Sequence, residues 1–312
     1  MTSLRMSVVA AAAMAAAMAG SAQAAEPESC KTVRFADVGW TDIQVTTGAT
    51  SVVLEALGYQ PEVSTLSVPV TYASLKNKDI DVFLGNWMPS MTADIQAYLD
   101  DKSVEQIGTN LEGAGYGLVV PQYVADAGVK SLADLAANAE KFGGKIYGIE
   151  AGNDGNRIIQ TMIDDTKNNL SGFQLVESSE AGMLTEAEKA MKNNEWIIFL
   201  GWTPHPIMGE MKIHYLDGMG DSGFGAASVL TNVRAGYTQE CPNAGKLLSN
   251  LKFTLEMEGA MMEPVLKDAA DPKETARAWL KANPDAVKPW LEGVTTFDGG
   301  DAAAAVAAAL KG

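Results

Sequence analysis

Asp81-Val82-Phe83-Leu84-Gly85-Asn86-Trp87-Met88-Pro89 is the stretch that decides the fold class. The run is apolar without alternation until it ends in an aromatic, which is how a strand buried on both faces reads, and such strands belong to parallel sheets covered by helices. Further along, the chain repeats the pattern as Phe199-Leu200-Gly201-Trp202-Thr203-Pro204. Working outward, strands and helices alternate. An extended run at 32–38 leads through Gly39-Trp40-Thr41-Asp42 into a helix at 43–57, which Gly58 closes. A strand at 63–68 and a helix at 71–77 precede the first apolar run.

The middle of the chain follows the same scheme. Strands are predicted at 116–120 and 145–150, and Ala151-Gly152-Asn153-Asp154-Gly155 turns into a helix at 156–167. An extended run at 173–177, a helix at 180–193 and a strand at 196–202 follow. The last third holds extended runs at 213–216 and 228–232, then helices that include 271–283 and the Ala-rich end. The echo between the halves keeps the same order of parts in each. The simplest architecture is two similar α/β lobes. The first (25–115 and 210–312) is built from both chain ends, and the second (116–209) is inserted between them.

Arg5 followed by an Ala-, Val- and Met-rich run to Gly20, then Ala22-Gln23-Ala24, has the form of a cleaved secretory leader over residues 1–24. The apolar run is too short for a confident membrane span. No lipobox precedes Cys30, so the mature chain is expected to start near Ala25 without a lipid anchor. The remaining length suits two lobes better than one. The formal charge of -16 argues against nucleic acid and anionic membranes as partners and suits a cationic solute. Two cysteines, Cys30 and Cys241, in an oxidising compartment most simply form one disulfide. Separate buried thiols or a metal site are the alternatives. A zinc site would want more ligands than His205 and His214 supply, so no metal and no cofactor are expected.

Ligands of open α/β sheets bind beyond the carboxyl ends of the strands. Trp40, Trp87, Asn153 and Trp202 sit at such ends, and Tyr116 opens the strand where the chain should cross between lobes. Two lobes closing on a solute would bring aromatic faces from both sides, and aromatic faces attract a cation, quaternary ammonium above all. Each residue also has a packing or capping explanation: a lone Trp at a strand end is commonly core, Asp42 is a ready helix N-cap, and Asn153 and Asp154 suit a turn. Three Trp at matched strand ends tip the balance towards a site. As a ligand residue, Asp42 would accept a hydrogen bond from a solute hydroxyl. Gly220-Asp221-Ser222-Gly223 matches the tetrapeptide around a trypsin-like nucleophile, but the chain is not all-β and its histidines are misplaced for a triad. With no nucleophile elbow, zinc-protease helix or phosphate loop, an enzyme is not expected.

At these residues the chain resembles the periplasmic choline-binding proteins of proteobacterial ABC importers, within the glycine-betaine-type substrate-binding proteins. The resemblance is carried by Val38-Gly39-Trp40-Thr41-Asp42, Leu84-Gly85-Asn86-Trp87-Met88-Pro89, Gly115-Tyr116-Gly117, Gly152-Asn153-Asp154-Gly155 and Leu200-Gly201-Trp202-Thr203-Pro204. It implies a two-lobed, type II Venus-flytrap fold with the ligand in the interlobe cleft. It further implies an ammonium box of Trp40, Trp87, Tyr116 and Trp202, with the choline hydroxyl held by Asp42 and Asn153. A disulfide also occurs in that family, which fits Cys30 and Cys241. The implied partner is the membrane permease of an ABC importer, and the implied protein is a periplasmic monomer. Betaine binders share the Gly-Trp and Trp-x-Pro pieces, so the choice of choline rests on Asp42, which would repel a betaine carboxylate. Glycine betaine or carnitine is the nearest alternative solute, and acetylcholine, lacking the hydroxyl donor, should bind more weakly. A secreted choline-ester hydrolase is the distant alternative.

Overall fold

The structure, a computed structural model, describes residues 26–311; the predicted leader at 1–24 lies outside the described residues. Its strands are β1 (Thr32–Asp37), β2 (Gln60–Thr65), β3 (Val82–Met88), β4 (Val104–Pro121), β5 (Lys145–Tyr147), β6 (Gln174–Val176), β7 (Phe199–Thr203), β8 (Ile213–Tyr215) and β9 (Gly225–Arg234). Its helices are α1 (Thr41–Ala56), α2 (Val68–Asn77), α3 (Thr92–Asp100), α4 (Gln122–Asp126), α5 (Asp154–Asp164) and α6 (Glu180–Lys192) in the first two thirds. The last third adds α7 (Pro206–Glu210), α8 (Tyr237–Glu240), α9 (Pro242–Asn250), α10 (Leu255–Asp268), α11 (Pro272–Ala282) and α12 (Ala302–Ala309).

All strands join one sheet in the order β2-β1-β3-β9-β4-β7-β5-β6, with β8 also on β4. The two wings are parallel: β1 with β2 and β3, β5 with β6 and β7. The centre is antiparallel, where β9 pairs with β3 and β4, and β4 pairs with β7 and β8. β4 is the long connector. Its first part pairs with β9, and from Gly115 to Val119 it pairs with β7. The apolar pattern of the sequence predicts this strand only from Tyr116. Residues 104–115 mix Glu, Gln, Asn and Gly into the run, and their extended form is set by long-range pairing, which overrides local propensity.

Helix α1 is buried along nearly its whole length, so it carries no clean polar face. Gly48 allows this: a Cβ there would stand 2.9 Å from the Lys273 Cα of α11. The helix ends as predicted at Gly58, whose φ is +93°. Tyr59 N–H bonds to the Leu54 carbonyl at 2.9 Å and Gly58 N–H to Glu55 at 3.0 Å, the pair of bonds that defines a Schellman cap. Cys30 and Cys241 are joined in a disulfide with a Cα separation of 5.6 Å, 211 residues apart in sequence. The start of the described chain is thereby fixed to the start of α9.

Candidate functional site

The first apolar run places its tryptophan by means of a bulge. The β3–β9 register shifts between Phe83 and Asn86, and the Leu84 carbonyl accepts instead from Asn110 Nδ2 on β4 at 2.9 Å. Below it, Tyr72, Asn86 and Asn232 close a buried ring of hydrogen bonds at 3.1–3.3 Å. Satisfied in this way, the distorted strand delivers Trp87 to the sheet end at no cost in unpaired polar groups. The second run delivers Trp202 on β7, directly opposite Tyr116 of β4 in the ladder. The equivalence of the two runs extends to the backbone. Trp87 N–H points at the Met91 sulfur (3.2 Å) and Trp202 N–H at the Met208 sulfur (3.3 Å). Both following X-Pro bonds, Met88–Pro89 and Thr203–Pro204, are cis.

Trp40, Asp42, Trp87, Tyr116 and Trp202 line a single cavity together with Ile149 and Asp154. Its empty volume, open solvent at the mouth included, is about 280 Å³. The rings of Trp87 and Tyr116 have centroids 5.8 Å apart and those of Tyr116 and Trp202 6.5 Å apart. Phe224 backs Tyr116 edge-on at 5.1 Å and His205 backs Trp202 at 4.9 Å. Gly155 makes room for Tyr116: a Cβ there would lie 2.0 Å from the phenol oxygen. No Lys or Arg is among the lining residues.

The carboxylates around this cavity have distinct duties. Asp42 accepts from Trp87 Nε1 at 3.1 Å, and Glu150 accepts from Trp40 Nε1 at 2.7 Å. Glu180, at the start of α6, takes the Thr41 N–H at 3.0 Å, the Thr41 hydroxyl at 2.8 Å and His205 Nε2 at 3.2 Å. His205 Nδ1 accepts the Met208 N–H, so Nε2 carries the hydrogen and donates. Burial, then the charge of Glu180, pushes the Asp42 carboxyl up to about 7. Burial raises Glu150 to about 7 and Asp154 to about 6, and it holds Glu258 well above the usual carboxylate range.

Of the six residues singled out from sequence, five face the cavity and Asn153 stands just behind it. Asn153 is the N-cap of α5: its Oδ1 accepts the Asn156 N–H at 2.8 Å, and its Nδ2 donates to the Glu150 carbonyl. One amide hydrogen of Nδ2 is left over. The residues missed were Ile149, Glu150, Asp154 and Glu180. From sequence, Asp154 suits a turn or a helix cap equally well. A carboxylate two positions after a glycine at a helix start reads as a cap, and only the packing of α5 against the Tyr116 ring turns it to the cavity.

Residues 31–282 match the family model described as the substrate-binding domain of ABC-type glycine betaine transport systems. The chain belongs to this family. It is 57% identical to a solved ABC-transporter choline-binding protein in complex with choline, with a TM-score of 0.89 over 91% of this chain and 100% of that one. Against an unliganded semi-closed choline-binding protein the TM-score is 0.83, at 56% identity over 91% and 99%. The glycine betaine/carnitine transport binding protein GbuC of Listeria monocytogenes is 36% identical over 49% of this chain and 51% of its own. The fold is therefore the two-lobed α/β fold of the substrate-binding proteins, as the sequence led one to expect. Like other members, the protein is built for an extracytoplasmic transport role. Among the described residues no helix is long and apolar enough to cross a membrane.

Proposed function

We propose that this substrate-binding protein captures choline in the aromatic cavity and hands it to the permease of an ABC importer from the periplasm. The observation that carries the reading is the composition of the cavity wall: four aromatic rings and two carboxylates, with no cationic side chain. Such a wall attracts a quaternary ammonium through ring faces and formal charge together. It offers no cationic side chain to the carboxylate of glycine betaine, and Asp42 would repel that group. The likeness to a choline-bound relative at 57% identity points the same way. Trp40, Trp87, Tyr116 and Trp202 form the box. Asp42 accepts from the choline hydroxyl, and the remaining Nδ2 hydrogen of Asn153 donates to it.

In this reading the first lobe comprises β1–β3 and the helices of both chain ends, and the second comprises the segment around β5–β8. The first crossing lies at about Gly115. The return is read at about Gly225, later than the 209/210 boundary expected from sequence, because β8 pairs with the far end of β4. The protein is secreted by a cleaved leader at 1–24, acts as a monomer and performs no chemistry on its ligand. Glycine betaine is the second reading, favoured by the description of the family.

Calorimetric titration with choline and glycine betaine tests the assignment. Choline should bind far more tightly, and Asp42→Asn should weaken choline about tenfold or more while leaving betaine much less affected, the scale of one charge-assisted hydrogen bond. Tighter binding of betaine would overturn the choline assignment and leave the box.

A further inference from the structure

Asp154 is 1% exposed, lines the cavity, and has no hydrogen-bond partner on either carboxylate oxygen. Among the described residues it is the only acid of which that is true. Of the other acids beside the cavity, Asp42, Glu150 and Glu180 are tied to Trp87, to Trp40, and to Thr41 and His205, while Glu258 is buried without a partner among the described residues but does not line the cavity. A buried carboxylate with no partner costs several kcal/mol of folding free energy unless something compensates it. The groups around Asp154 do little of that. Ser90 and Arg157 lie close enough to favour the ionised form of Asp154, but the single hydroxyl hydrogen of Ser90 goes to the Trp87 carbonyl, and Arg157 is engaged by Asp94 at 2.6 Å and by the Ser90 carbonyl at 2.9 Å. Asp94 and Glu150 add like charge. The first turn of α5 contributes the positive end of an 11-residue helix, which favours an anion there but does not pair it.

We propose that Asp154 is the counter-ion of the bound quaternary ammonium and, with the rings, sets the preference for a cation over a neutral or zwitterionic solute. The proposal rests on the choline reading above and adds a residue to it. An ammonium seated against the Trp and Tyr faces has no N–H, so it needs no hydrogen bond from this carboxylate; proximity of charge is sufficient. Two opposite unit charges about 5 Å apart at an effective dielectric of about 20 change an association constant on the order of a hundredfold. Asp42 cannot take the role alone, since one of its oxygens holds Trp87 Nε1 and its other is required by the ligand hydroxyl. The division of labour is then one acid for the hydroxyl end and one for the cation.

The test sets the charge of the residue against the charge of the ligand. Choline and its uncharged carbon isostere 3,3-dimethylbutan-1-ol are titrated into the wild-type chain and into Asp154→Asn, with the melting temperature of each ligand-free protein measured alongside. Asp154→Asn should lose choline affinity about ten- to a hundred-fold, bind the isostere within about threefold of wild type, and melt no lower than wild type. A merely structural residue would lose both ligands equally and melt earlier, and that result overturns the proposal. So does a choline loss below about threefold. Asp154→Ser, equally suited to a helix start, repeats the measurement independently. If neither variant folds, Asp154 is a structural residue and the proposal falls. Failure of the wild-type protein to bind choline at all would instead remove the functional reading on which it rests.

Discussion

Replacing Glu180 by Ala should weaken choline binding although Glu180 does not itself line the cavity. Glu180 opens α6, and both oxygens bond to Thr41 at the start of α1, at 3.0 and 2.8 Å. Neither residue lines the cavity, and on the lobe assignment proposed above the pair is a clasp that forms as the lobes close. Hydrogen bonds to a charged partner contribute about 1.5–3 kcal/mol each. In Glu180→Ala the Thr41 N–H of the closed form is left for water to satisfy, so about half of the combined figure survives as a net loss. About 1.5–3 kcal/mol corresponds to a roughly ten- to hundred-fold higher Kd. The clasp forms only after the solute has entered, so the change belongs in the dissociation rate, with association nearly unchanged. Stopped-flow tryptophan fluorescence separates the two rates. An unchanged dissociation rate, or a Kd within about twofold of wild type, would refute the idea that closure is held by contacts outside the cavity. Thr41→Val, which keeps the N–H and removes the hydroxyl, should fall between wild type and Glu180→Ala.

Binding and stability should move in opposite directions with pH. The folded pKa values of Asp42, Glu150 and Asp154 are raised to about 7, 7 and 6. Their contribution to the stability of the ligand-free protein is fully present below about pH 4 and is lost as pH rises through 6–7. Choline needs these groups ionised, so the rise in melting temperature that choline produces should shrink as pH falls from 8 to 5; a rise independent of pH would contradict this. Gly155→Ala should abolish choline binding and cost at least about 1–3 kcal/mol, because its Cβ would meet the Tyr116 oxygen and Leu200; calorimetry and denaturant melts check both. Removing the disulfide with Cys30→Ala and Cys241→Ala should cost about 2–4 kcal/mol of stability yet leave the choline Kd within about twofold, since neither cysteine lines the cavity.

The aromatic wall was legible because β strands end where the sheet ends. The apolar runs at 83–88 and 199–203 are long enough to fix their strands, and the tryptophans follow from the ends. The disulfide was legible from compartment and count. The acids were not. Asp154 and Glu180 stand at helix starts, where an acid has a sufficient local reason to be, so the sequence offers nothing to separate a cap from a counter-ion or a clasp. Only the tertiary placement of α5 and α6 against Tyr116 and Thr41 tells them apart. The 18-residue strand β4 was legible only in its apolar half for a related reason: the polar half is extended by its pairing with β9, not by its own composition.

Two of the acids bear on the rings, whatever their direct part in holding the solute. Asp42 and Glu150 accept the indole N–H of Trp87 and Trp40, so each ring is pinned by its edge and presents its face to the cavity. A carboxylate on the N–H also pushes electron density into the indole, since hydrogen bonds in a dry environment polarise the groups they join. The ring face then attracts a cation more strongly than the same ring bonded to a neutral acceptor. Protonating Asp42 or Glu150 therefore removes a nearby negative charge and weakens a ring face in the same step. Acid can thus loosen an aromatic box although no ring in it titrates. Trp202, which has His205 packed edge-on behind it and no carboxylate on its N–H among the described contacts, should be the ring whose contribution to choline binding changes least with pH. Comparing the choline Kd of Trp202→Phe with that of Trp87→Phe at pH 5 and pH 8 measures this: the pH-dependence should persist in the first and shrink in the second.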